Sequence, residues 1–169
     1  MATAQRGTTL LETMIAMAVM LVATVGTLSM NVQHLRMNGE ARRVTEATAI
    51  ARDLVENIST WPYGDARLAN TQSGNDGDIA DDAFKFEGAV TSSDYDHAEA
   101  DLTAGGASWT GLPSRAGFER YWNVAYPDDA DLNGTPDAVR VAVIVRWQVG
   151  GGWRRVVLLT TKVNPGEAQ

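Results

Sequence analysis

The chain has 169 residues, 44% of them apolar, with a formal charge of −7 and a pI near 4.7. That is room for one modest domain and an appendage. Fifteen Asp and Glu against four Lys and Arg fall between Thr60 and Asp137, which speaks against phosphate contacts and hence against a nucleic-acid partner. There is no cysteine, which excludes disulfides, thiolate zinc sites and cysteine nucleophiles.

From Leu10 to Met30 the only charge is Glu12. Such a helix rises about 31 Å, close to the hydrocarbon thickness of a bilayer. Its residues are apolar on all sides, which suits lipid better than one face of a core. The run is long for a cleaved secretory signal, and an acid interrupts its start. A membrane-spanning or membrane-anchored helix is expected. An ionisable side chain in such a segment is a functional candidate by default, and Glu12 needs a nearby cation to stay charged.

The stretch "RGTTLLE", Arg6 to Glu12, followed by the apolar run, resembles the processing motif of type IV prepilins and type II secretion pseudopilins. The resemblance implies a leader, residues 1–7, that ends at Gly7. A prepilin peptidase would cut between Gly7 and Thr8, and the new N-terminus on Thr8 would be methylated. Glu12 then falls at the fifth mature position, where the family has a glutamate that pairs with a neighbouring subunit's α-amine during assembly. Attraction between such charges grows as the dielectric falls. Thr8 departs from the family's usual Phe or Met. Arg6 lies before the run, and Arg36, Arg42 and Arg43 beyond it, so charge leaves the orientation open and the motif alone places the leader in the cytoplasm.

Beyond Met30 the apolar positions Leu35, Val44, Ala47, Ala51, Leu54, Val55 and Ile58 increasingly follow three-and-four spacing, the mark of an amphipathic helix over 31–59. Trp61-Pro62 stops it. Thr8 to Ile58 is expected as one helix of roughly 75 Å, with its first half, 8–30, in lipid and its second on a sheet. Gly26 and Gly39 each weaken it by about 1 kcal/mol relative to Ala and are either hinges or passengers. The two histidines, His34 and His97, lack neighbours at metal-ligand spacing and read as surface residues.

The C-terminal half reads as β. In "VRVAVIVRWQV" the residues Val139, Val141, Val143, Val145, Trp147 and Val149 face one way, and Arg140, Ala142, Ile144, Arg146 and Gln148 the other, more polar way. The glycines at 150–152 make a turn, and "WRRVVLLTTKV" returns antiparallel. "ERYWNVAY", 119–126, is a third strand and "AFKFEGAV", 83–90, a weaker fourth. The fold class is therefore α+β: a long N-terminal helix packed on a C-terminal antiparallel sheet of three to four strands. The "YWNV" strand, the acidic loop, the Val-rich strand ending in Trp and the "VVLLTT" strand resemble PilV-type minor pilins.

Between strands lies "DDADLNGTPDAVR". Asp129, Asp131, Asn133, Thr135 (through its carbonyl) and Asp137, with Gly134 at the bend, follow the oxygen-ligand order of calcium loops. Arg140 stands where a bidentate acid belongs, and no helix precedes the loop. The competing reading is an Asp-Asn-Gly turn without metal. Calcium is thus the one cofactor the sequence raises, and "GNDGDIADD", 74–82, is a second acidic stretch with less ordered spacing. No nucleophile elbow, phosphate loop or metalloprotease motif is present, so no enzymatic activity is expected.

Taken together, the resemblance implies a minor pilin of a type IV pilus, with residues 31–169 as its periplasmic head. It would span the bacterial inner membrane once, then pass to the pilus tip or filament at the cell surface, in a complex that primes assembly. The implied partners are other minor pilins, the major pilin, the prepilin peptidase, the inner-membrane assembly platform, a tip adhesin and membrane lipid. The rivals are a type II secretion pseudopilin and a membrane-anchored calcium-binding or adhesive exported domain. Trp109, Trp122 and Trp153 are expected at or near the core.

Overall fold

The structure is a computed structural model that describes residues 10–72, 79, 82–113, 115–126 and 136–166. Its first element is helix α1, Leu10–Thr60. Four strands follow: β1, His97–Ala98; β2, Phe118–Ala125; β3, Ala138–Val149; and β4, Gly152–Val163. They form one antiparallel sheet in the order β1-β2-β3-β4. The expected α+β class and the helix-on-sheet arrangement are those observed, and they are consistent with a pilin-like fold. Two compact units are distinguished, Met1–Arg42 and Arg43–Gln169.

In the first unit, the described residues from Leu10 to Gly39 are exposed throughout. Glu12 is the only charged residue as far as Met30. The four hydroxyls in this span turn back onto the helix itself. Thr13 donates to the Leu10 carbonyl at 2.8 Å, Thr24 to Met20 at 2.7 Å, Thr27 to Thr24 at 2.9 Å and Ser29 to Val25 at 3.1 Å. A helix whose hydroxyls are satisfied internally offers an apolar solvent little that needs water. By length and composition this helix can serve as a membrane anchor or a signal segment.

In the second unit, α1 places Ala47, Ile50, Ala51, Leu54 and Ile58 in the core. They meet Val139, Val141, Val143, Val145 and Trp147 of β3 and Trp122 and Val124 of β2. The small residues Ala47 and Ala51, both fully buried, let the helix backbone approach the sheet, while Leu54 and Ile58 fill the space further along. Ile50 completes the stripe. Val44 stays 40% and Leu35 72% exposed, so the packed stripe starts later than the sequence pattern suggests. The helix ends as Pro62 approaches, and Lys162 of β4 supplies the missing C-terminal cation. Its Nζ donates to the carbonyls of Ser59 at 2.8 Å and Ile58 at 3.2 Å.

The β3–β4 hairpin closes through Gly150 and Gly151, at φ +57° and +88°. Two consecutive positive φ values make the tight turn that matches strand twist. Gly152 is already in β4, opposite Val149.

One expectation about the sheet needs correction. The stretch 83–90 is not a strand; Asp82–Glu87 is a 3-10 helix. The fourth strand is instead the short β1, whose His97 pairs with Trp122. The more polar second sheet face is partly covered as well: Phe86 and Ile79 cover Ile144 and Ala142, with Val90, Tyr95, Tyr121 and Val157 around them. A strand of alternating Phe and Lys was plausible from the pattern, but the outer face of β3 carries Ala142 and Ile144, and apolar surface there recruits Phe86 as a lid.

Candidate functional site

Of the residues that the prepilin resemblance singles out, Glu12 lies in the first described turn of α1. Gly7 and Thr8 lie outside the described residues.

The loop read as a calcium candidate is placed only at its end. Asp129, Asp131, Asn133 and Thr135 lie outside the described residues. Asp137 is half-buried just before β3, and its carbonyl accepts from the Asn164 N–H at 2.8 Å. Arg140 is exposed on β3, opposite Ala125 on one side and Thr161 on the other. Among the described residues no group of three or more His, Cys, Asp or Glu could hold a metal ion.

The head is instead organised by three buried polar nodes that the sequence did not announce. At the first, Asp96 is 8% exposed. Its Oδ1 accepts the N–H groups of Thr71 at 2.6 Å and Gln72 at 2.7 Å, and its Oδ2 accepts that of Val124 at 2.8 Å. Its own N–H donates to Asn123 Oδ1 at 3.1 Å. This carboxylate seals the part of the β2 edge that the two-residue β1 leaves open.

At the second, Arg120 enters the core from β2 and is 3% exposed. It lies 3.1 Å from Glu99 and 4.0 Å from Asp53 of α1, and it donates to the Leu112 carbonyl at 3.2 Å. Burial lowers its pKa, opposed by Glu99 and Asp53. Asp53 also accepts the Leu112 N–H at 2.7 Å. The 109–112 turn is thereby pinned to the helix, and a Cβ on Gly111 would overlap the Asp53 carboxylate and the Trp109 ring.

The third lies on the outer sheet face. Arg146, 6% exposed, donates to Glu119 at 2.7 Å and to the Gly88 carbonyl at 2.9 Å, with its guanidinium 4.0 Å above the Trp153 ring. Tyr121 donates to the same Glu119 at 2.8 Å. Burial first, then Glu119, pushes its phenol up to about 12.

His34 is exposed, as expected. His97 is not a surface residue: it is 6% exposed, stacked on Trp122 at 5.2 Å and bonded through Nε2 to the Ala69 carbonyl at 2.7 Å. β1 pairing draws it under a turn twenty-eight positions earlier in the chain, a contact that no local pattern encodes. It lines a cleft of about 460 Å³ with Asp65, Arg67 and Asp101. Asp65 and Arg67 pair at 2.7 Å, and Arg67 holds the Asp65 carboxyl below its ordinary range. Trp122 is fully buried, Trp109 is partly buried against the core, and Trp153 is half-buried beneath Arg146.

These nodes tie loops to the helix and the sheet. Comparisons of the chain with protein-family models, with curated proteins and with solved structures return no match.

Proposed function

We propose that the protein is a minor pilin of a type IV pilus, cut between Gly7 and Thr8, methylated on Thr8 and assembled through its N-terminal helix into a priming or tip complex. The observation that carries this reading is one helix with two chemistries. Its first part is apolar, exposed on every side and marked by a single acid at Glu12; its last part buries a stripe on a four-stranded antiparallel sheet. A helix apolar all round must find lipid or other such helices. In lipid, Glu12 is stabilised by a cation, and the amine freed on a neighbouring subunit by cleavage after Gly7 supplies one. The head then presents its surface to the other pilins, and catalysis has no part in the mechanism.

Mass spectrometry of the mature N-terminus tests this reading. An N-methylated Thr8 is expected; an intact Met1, or cleavage elsewhere, refutes it. Glu12→Val should remain in the inner membrane at normal abundance and disappear from sheared filaments. Normal incorporation of that variant would sink the assigned role of Glu12.

A further inference from the structure

The two edges of the sheet are treated differently. On the β2 side, β1 pairs its His97 and Ala98 with Trp122 and Tyr121, and Asp96 takes the next outward N–H, that of Val124, at 2.8 Å. On the other side β4 is the last strand, and its twelve residues pair with β3 without a bulge or a proline. A two-residue turn makes the flanking pair Val149–Gly152 a hydrogen-bonded pair. The antiparallel ladder then alternates along the strand. Thr160 and Lys162 therefore point their N–H and C=O groups at β3, and Leu159, Thr161 and Val163 point theirs outward. The side chains of Leu159 and Val163 are each 62% exposed, and Thr161 is exposed between them. Long, regular and partly apolar edges are what soluble proteins normally blunt with prolines, bulges or short strands.

We propose that this edge, at Leu159, Thr161 and Val163, is a docking site for an extended acidic segment of a partner protein, which adds as a further strand of the sheet. Main-chain hydrogen bonds to the three outward amides and carbonyls would hold it, and alternate side chains would lie beside Leu159 and Val163. Charge selects the occupant. From Ala138 to Asn164 the hairpin carries Arg140, Arg146, Arg154, Arg155 and Lys162 and no acid. A second copy of this chain, pairing β4 with β4, would bring like charges together, whereas Asp or Glu on an incoming strand gains from Arg140, exposed on β3 opposite Thr161, and from Lys162; Arg146 and Arg155 are already paired with Glu119 and Glu87. The proposal does not depend on cleavage after Gly7.

The probe is an acetylated peptide of about eight residues alternating Val and Glu, with a Val and Lys version as control. The full chain in detergent micelles is followed by amide hydrogen exchange. The amides of Leu159, Thr161 and Val163 should exchange quickly alone and roughly tenfold more slowly with the Glu peptide. The Lys peptide should bind about fivefold more weakly or worse, with the gap closing at high salt. Thr161→Pro removes an outward N–H while sparing the β3 ladder, and it should abolish protection with melting unchanged. If that variant fails to fold, Leu159→Glu should weaken the Glu peptide and favour the Lys one. Unprotected amides at millimolar Glu peptide would overturn the proposal, as would equal binding of both peptides. Protection that rises with protein concentration in the absence of peptide would assign the edge to a second copy instead, which also overturns it.

Discussion

Removing the Asp96 carboxylate tests the sealed edge of the sheet. Its three backbone donors are not equivalent. Val124 is fully buried, whereas Thr71 is exposed and Gln72 half-buried. In Asp96→Asn the amide oxygen will therefore face Val124, and its NH2 will face Thr71 and Gln72, where water can replace the lost partner. That exchange should cost about 1–2 kcal/mol, the loss of one or two partly solvated hydrogen bonds. Asp96→Ala also strands the Val124 N–H, adding roughly 1–3 kcal/mol for an unsatisfied buried donor. A total near 3–4 kcal/mol is expected. Urea unfolding of the full chain in micelles, read by tryptophan fluorescence, measures both, and equal slopes confirm that the same surface unfolds. Asn as damaging as Ala would refute the reasoning, because the charge and not the acceptor geometry would then matter. So would an Ala variant within about 1 kcal/mol of the parent.

Leu54→Ala removes a fully buried side chain at the centre of the helix–sheet contact; a loss of about 2–5 kcal/mol is expected in the same assay, whereas Leu35→Ala, at a 72% exposed position, should stay within about 0.5 kcal/mol. Asp65 has a lowered pKa in the fold through Arg67, so the unfolded chain takes up its proton first as pH falls. Its contribution is present above the ordinary aspartate range and is lost as pH falls through the lowered value. Asp65→Asn should therefore flatten the acid limb of the stability profile and leave its slope near neutrality unchanged. Tyr121→Phe should delete a phenol that ionises at about 12 from the ultraviolet titration; an unchanged late-titrating phenol would show that Glu119 and burial do not hold it.

The amphipathic stripe, the strands at 118–125, 138–149 and 152–163 and the glycine turn were all legible in the sequence. Periodicity of 3.6 or 2 is a local property, and a stripe of Ala, Leu and Ile can only be buried against one face of something. The apolar run from Leu10 to Met30, with Glu12 as its single charge, was equally plain. The three polar nodes were not, because each joins residues far apart in the chain: Asp96 to Val124, Arg120 to Asp53, Arg146 to Gly88. For the same reason His97 looked like a surface residue and 83–90 like a strand. A lone histidine or a Phe-Lys-Phe alternation carries no signal of what will lie over it. The sequence by itself determined the long helix, the three long strands and which helix half is apolar all round. The tertiary structure alone decided which charges are buried, which sheet edge is sealed and which is left open among the described residues, since those follow from the register and order of strands brought together across the chain.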